Sequence, residues 1–227
     1  MSVRESLYQR VHKADSVDER LCIYCFEVKE DLESIFLGKK KLCVNCQSQM
    51  KEWKKSYRVN GVLIHVLYVY DDFLQGVFFQ YKEQRDVVLK DVFLESQKNL
   101  HKKLKKYTVC GMCSSDEKRM IRGFEPLKEI FSVIDIFVYS PFYKVSNVKQ
   151  SSRNKKERSH IEDEIFLKDI VFPYKRPICL VDDVLTTGAT ISRGIVLLRP
   201  DCVFVLSAHA LWLKEHEKDQ IRSNFFR

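Results

Sequence analysis

Residues 178 to 190 read Ile-Cys-Leu-Val-Asp-Asp-Val-Leu-Thr-Thr-Gly-Ala-Thr, and no other part of the chain constrains the fold as tightly. Residues 178 to 181 are a short, continuous apolar run with β-branched members, the pattern of an interior parallel strand covered on both faces. The acidic pair Asp182 and Asp183 stands at its carboxyl end, which is where open α/β sheets bind ligands. Neighbouring strand side chains point to opposite faces, so both carboxylates serve one site only if the strand is already ending. Thr186, Thr187, Gly188, Ala189 and Thr190 follow, with hydroxyl donors and a glycine that permits close backbone approach. A helix predicted from Ile191 presents unpaired N–H groups and a positive dipole end to that loop. The ligand implied has a phosphate for the loop and vicinal hydroxyls for the carboxylates.

This run resembles, position by position, the phosphoribosyl pyrophosphate signature of type I phosphoribosyltransferases. The resemblance implies that Asp182 and Asp183 contact the ribose 2′- and 3′-hydroxyls as the catalytic carboxylates. It also implies that Thr186, Thr187, Gly188, Ala189 and Thr190 cradle the 5′-phosphate. A glycine-rich loop alone fits many strand–loop–helix turns; the ordered run of apolar strand, acidic pair and Thr-Thr-Gly-x-Thr is far more specific.

The N-terminal region carries a second signal. Cys22-x-x-Cys25 and Cys43-x-x-Cys46 have the spacing of a four-thiolate zinc site, in which two knuckles close a tetrahedral shell without an open position for water. A closed shell is structural. Disulfides are the competing reading, but the first fifteen residues are charged and lack the apolar core of a signal peptide, so a reducing cytoplasm and metal are expected. Cys179 and Cys202 fall in apolar runs and read as small buried hydrophobes. Cys110 and Cys113 form a third CxxC that is open to three readings: a redox pair, half of a second metal site, or a strand end entering a loop.

With 227 residues and 45% hydrophobic content, the chain is long enough for one ordinary α/β core plus a small metal-stapled module. No apolar run approaches the length of a membrane span. The formal charge of +8 points to a polyanionic partner. Basic residues cluster at Lys39 to Lys41, at Lys51, Lys54, Lys55 and Arg58, at Lys102, Lys103, Lys105 and Lys106, and at Arg153, Lys155, Lys156 and Arg158. Trp53 and Tyr57 interleave with the second cluster, as in grooves that hold single strands by charge and stacking. Lysine-rich faces are also commonly plain solvated surface, and such aromatics also pack on cores.

The predicted organisation is a zinc module over residues 18 to 50 and an α/β domain over 51 to 227. Residues 51 to about 60 read as a charged connector and 62 to 70 as a strand. One long helix is expected next, capped by Asp71 or Asp72 and running through Phe73, Val77, Phe78, Tyr81, Val88, Val92 and Leu100. Strands at 107 to 112, 136 to 139 and 202 to 207, and a helix at 126 to 133, complete an alternation that implies a mostly parallel sheet. Residues 146 to 159 lack apolar periodicity and read as a loop or lid.

A four-cysteine module joined to this signature is similar to the ComF-type late competence proteins of bacterial DNA uptake. Tyr81-Lys82-Glu83-Gln84-Arg85-Asp86, Arg122-Gly123-Phe124 and the basic stretch from Gln150 to Arg158 match further motifs of that family. The resemblance departs at residues 108 to 115, Thr-Val-Cys-Gly-Met-Cys-Ser-Ser, where the family usually has a proline-containing pyrophosphate loop, and at Glu125-Pro126. Two functions are implied. The first is a cytoplasmic competence protein that binds single-stranded DNA, through Arg153, Lys155, Lys156, Arg158 and Trp53, together with the ATP-driven DNA translocase. The second is an active phosphoribosyltransferase, using Mg2+ with phosphoribosyl pyrophosphate to modify an unknown acceptor.

Overall fold

The computed structural model describes residues 20–29, 41–144, 165–169, 172 and 176–226. The chain divides into two compact units, Met1–Met50 and Lys51–Arg227.

In the first unit, Leu21 and Val28 form an isolated antiparallel bridge that closes the first knuckle, and α1 (Val44–Gln49) carries the second.

The second unit is built on a seven-stranded sheet. Its strands are β1 (Glu52–Val59), β2 (Val62–Tyr70), β3 (Thr108–Gly111), β4 (Val138–Tyr139), β7 (Ile178–Leu185), β8 (Cys202–His209) and β9 (Gln220–Ile221), in the order β4-β3-β7-β8-β2-β1-β9. The five from β4 to β2 run parallel; β1 pairs antiparallel with both β2 and β9. A separate antiparallel pair, β5 (Phe142–Lys144) and β6 (Ile165–Leu167), flanks the segment containing residues 146 to 159, which lies outside the described residues. The sheet is the mostly parallel α/β architecture expected from the signature, and β7 lies inside it.

The helices are α2 (Asp72–Lys82), α3 (Lys90–Leu94), α4 (Lys98–Leu104), α5 (Asp116–Arg122), α6 (Pro126–Ser132), α7 (Ala189–Leu198) and α8 (Ala210–Glu215). Asp71 caps α2, its carboxylate accepting from the Leu74 N–H at 3.1 Å. Helix α7 lies so close to the sheet that a Cβ on Gly194 would stand 2.6 Å from Met112 Sδ and 2.9 Å from Leu180 Cδ2.

Two sequence expectations fail. Residues 51 to 60 are not a connector: they form β1, from which Trp53, Tyr57 and Val59 pack against the core, and a register shift between Glu52 and Lys55, with Lys54 at φ 51°, breaks the period-2 pattern that would have marked a strand. Asn60-Gly61, both at positive φ, is a two-residue hairpin turn that joins β1 to β2. The single long helix is also broken. Arg85 sits in the left-handed region at φ 63°, a short 3-10 turn follows at Val87–Leu89, and three separate helices, α2, α3 and α4, result. Helical periodicity survived in sequence because each piece buries an apolar face, including Val77, Phe78, Tyr81, Val92 and Leu100.

Candidate functional site

β7 does not end before the acidic pair. It stays paired with β8 through Leu185, while on its other side Met112 N donates to Val181 O and pairing with β3 stops. The strand is therefore open along one edge at Asp182 and Asp183. Both carboxylates line a cleft of about 320 Å³ at the carboxyl ends of the parallel strands. The sequence requirement that the strand end there is met on one edge only. Ser207 Oγ donates to Asp183 O at 3.0 Å and fixes the end of β7 against β8.

Asp182 Oδ1 accepts from the Asp183 N–H at 2.9 Å. Burial, and then the neighbouring Asp183 charge, push the Asp182 carboxyl up to about 8, against the smaller pull of Lys82. Asp183 has a different partner: its Oδ2 is ion-paired with Lys82 Nζ, side chains that are 21% and 16% exposed. The same ammonium lies over the Phe78 ring, 4.7 Å from its centroid.

Lys82 is held from behind. The Arg122 guanidinium, only 7% exposed, donates from Nε to Lys82 O at 3.1 Å, from Nη1 to Ser114 Oγ at 3.3 Å, and from Nη2 to Glu83 Oε1 at 2.9 Å. That last bond draws the Glu83 carboxyl below its ordinary range. Buried Tyr81 donates to Pro126 O at 2.9 Å and stacks at a tilt on Phe124. The Tyr81-Lys82-Glu83 and Arg122-Gly123-Phe124 motifs thus clamp each other, with Gly123 ending α5 at φ 79°. In sequence these residues stand out only by resemblance to the family's motifs. The cue available for a site was a pair of charged triplets flanked by aromatics.

Ser114 and Ser115 line the cleft in the place of the missing proline loop. Cys113 lines it as well, whereas Cys110 is fully buried on β3 and its thiol is pushed up to about 12 by burial. A thiol held neutral in the core suits the strand-end reading of that CxxC.

Of the loop expected from sequence to hold a phosphate, Thr190 reaches the cleft, and Thr186 and Thr187 are exposed. Gly188 takes φ 84° at the N-cap of α7, and the first N–H of the helix, that of Ala189, donates to Thr187 Oγ1 at 3.5 Å, so the loop hydroxyl stands at the positive end of the helix.

The fit of a divalent cation is poor. Asp182, Asp183 and Glu125 are the carboxylates lining the cleft. Asp183 holds Lys82, Glu125 holds Lys128 at 2.6 Å and Arg119 at 3.0 Å, and Asp182 favours its proton.

The four N-terminal cysteines do fit a metal. Among the described residues, the Sγ atoms of Cys22, Cys25, Cys43 and Cys46 all lie within 4.8 Å of one another. Cys25 and Cys43 sulfurs are 3.7 Å apart. Tetrahedral coordination with metal–sulfur bonds of about 2.3 Å requires sulfurs about 3.8 Å apart. Cys43 also caps α1, its sulfur accepting from Cys46 N at 3.4 Å, so the backbone presets the second knuckle.

Lys51 and Lys54 are paired with Asp71 and Glu52. Residues 102 to 106 precede β3, at the end of the parallel sheet opposite the cleft. Trp53 is half-buried and donates from Nε1 to the Tyr57 hydroxyl at 2.7 Å. Arg153, Lys155, Lys156 and Arg158 lie outside the described residues. Among the described residues no helix is long and apolar enough to cross a membrane.

No family model matches the chain. The chain is 30% identical over 157 residues to the competence protein ComFC of Streptococcus pneumoniae (strain ATCC BAA-255 / R6), covering 69% of this chain and 68% of that one. Similarity to the competence protein ComFC of Bacillus subtilis (strain 168) is 22% over 215 residues, covering 77% and 87% respectively. A crystal structure of an adenine phosphoribosyltransferase is similar at 16% identity and a TM-score of 0.37, over 77% of this chain and 92% of that one.

Proposed function

The chain belongs to the ComF-type late competence protein family, and from that premise we propose that it serves DNA uptake in natural transformation. In this reading it works in the cytoplasm, binding incoming single-stranded DNA and the ATP-driven DNA translocase, and it carries a sugar-phosphate site in the cleft. The observation that carries the cleft assignment is the convergence of Asp182, Asp183, Ser114, Ser115 and Thr190 with the cationic Lys82 and Arg122. Carboxylates suit vicinal hydroxyls, and the hydroxyls, cations and α7 N-terminus suit phosphate groups. A structural zinc held by Cys22, Cys25, Cys43 and Cys46 folds the N-terminal unit, which docks the translocase.

DNA is held by backbone charge, chiefly through Arg153, Lys155, Lys156 and Arg158, with Trp53 adding stacking. Titration of a labelled single-stranded oligonucleotide tests this. Affinity falls with salt with a slope of about −0.7 per phosphate neutralised. Replacing the four basic residues with alanine flattens the slope. Trp53→Ala lowers affinity at every salt concentration if its ring stacks on a base, whereas loss of stability with unchanged affinity assigns it to packing alone. Absence of binding at low salt removes DNA from the proposal. Co-purification of the translocase with wild type but not with Cys43→Ser tests the docking role.

A second reading, phosphoribosyl transfer to an acceptor, draws support from Ser114, Ser115 and Arg122. They are hydroxyl and guanidinium groups of the kind pyrophosphate needs, at the segment where the sequence departs from the proline-containing loop. Release of pyrophosphate from phosphoribosyl pyrophosphate in the presence of a panel of bases separates the two readings.

A further inference from the structure

The carboxyl groups that line the cleft already have partners within the chain itself. Lys82 occupies Asp183, Lys128 and Arg119 occupy Glu125, and the backbone N–H of Asp183 occupies Asp182. A magnesium ion bound here would have to displace an ammonium that is also held over an aromatic face and anchored through its own carbonyl by a buried arginine. It would also have to recruit a carboxyl that burial keeps protonated near neutral pH. Magnesium dehydrates reluctantly and is usually retained by one or two carboxylates together with ligand phosphates. The cleft is cationic without it, since Lys82, Lys118, Arg119, Arg122, Lys128 and Lys144 line it against the three carboxylates.

Resting on the sugar-phosphate reading above, we propose that this cleft binds its phosphorylated sugar without a divalent cation, the Lys82 ammonium supplying the positive charge between the acidic pair and the ligand's phosphates. Arg122 is its positioning residue: the guanidinium ties the Lys82 backbone to Ser114, so the ammonium and the serine loop face the ligand in fixed register. On binding, Lys82 shifts its hydrogen bonds from Asp183 toward phosphate oxygen, and Asp183 becomes free to accept from a ribose hydroxyl. The pair therefore serves as a stored counterion that keeps the acidic floor from repelling an anionic ligand.

The test is calorimetric titration of the full chain with phosphoribosyl pyrophosphate. One arm uses buffer depleted of divalent ions by a chelating resin, which leaves thiolate-bound metal in the protein; the other adds millimolar magnesium chloride. Wild-type affinity should differ by less than about threefold between the two arms. Lys82→Gln should weaken binding by at least about tenfold in depleted buffer and recover much of it with magnesium, because the vacated Asp183 carboxylate then accepts the ion. Lys82→Arg, which keeps the charge, should bind in depleted buffer, with near-ultraviolet circular dichroism verifying the fold of both variants. Wild-type binding that requires magnesium, or a Lys82→Gln variant unaffected in depleted buffer, overturns the proposal while leaving the sugar-phosphate reading intact. No binding in either arm overturns both.

Discussion

The Lys82 ammonium, at the last residue of α2, is ion-paired with the Asp183 carboxylate near the end of β7. β2 leads into α2, and β8 separates β2 from β7 in the sheet, so the contact spans the carboxyl ends of three adjacent parallel strands. The helix after β2 ends here, with Arg85 in the left-handed region and the Glu83 side chain paired with Arg122, so the lysine stands at the cleft wall.

Asp182→Asn is expected to stabilise the protein at alkaline pH. The unfolded carboxyl titrates at about 3.9, whereas burial and the Asp183 charge raise the folded one to about 8. Between those values the native state keeps a proton that the unfolded chain has released. This contribution to stability is complete below the unfolded value and is lost as pH rises through the folded one. Asparagine does not ionise, so the variant should match wild type near pH 4 and melt several degrees higher above pH 8, each kcal/mol being worth about 2–4 °C in a chain of this size. Melting curves from pH 4 to 9 check this; parallel curves would place the titration elsewhere.

Lys82→Gln removes a cation that opposes the rise at Asp182. The fall in stability with pH should therefore move to higher pH in this variant. The same melting series, compared with wild type, reads the displacement.

Arg122→Ala should destabilise by about 1–3 kcal/mol, since the Lys82 carbonyl and Ser114 hydroxyl lose a buried donor while half-exposed Glu83 regains water. Arg122→Lys should recover little of this, because one ammonium does not reproduce a planar fork reaching three acceptors. Urea unfolding of both variants measures it. Full rescue by lysine would reduce the role to charge.

Gly194→Ala places a methyl into Met112 and Leu180 and should cost about 1–3 kcal/mol by overpacking. Met112→Ala in the same chain should recover part of the loss through non-additivity of contacting residues. Additive losses would show that helix α7 simply moves outward.

Cys43→Ser removes one of the four sulfurs and the cap of α1 together. Metal analysis of the reduced wild-type protein should give one zinc per chain, and the serine variant should lose it along with protease resistance in residues 20 to 50. Freshly reduced wild type without metal would remove zinc from the reading.

The signature could be read from sequence because its chemistry is local. An apolar run, two carboxylates and a Thr-Thr-Gly loop are contiguous, and contiguous residues on a strand, turn and helix start share one end of the sheet whatever surrounds them. The cysteine knuckles were legible for the same reason: CxxC spacing fixes each sulfur pair, and the second is preset by a cap within α1. Tertiary structure decided what depends on distant partners. β1 was hidden because a register shift between Glu52 and Lys55 breaks the alternation of Trp53, Tyr57 and Val59, whose burial follows from pairing with β2. The break after Lys82 was hidden because each helical fragment keeps an apolar face; the chain leaves helical geometry at Arg85, and the Lys82 carbonyl, which a longer helix would use internally, accepts from the Arg122 guanidinium instead. The charge state of Asp182 follows chiefly from burial, with the adjacent Asp183 charge adding to it, and the partner of Asp183 is a lysine delivered by another helix; neither the burial nor that lysine can be read from the acidic pair itself.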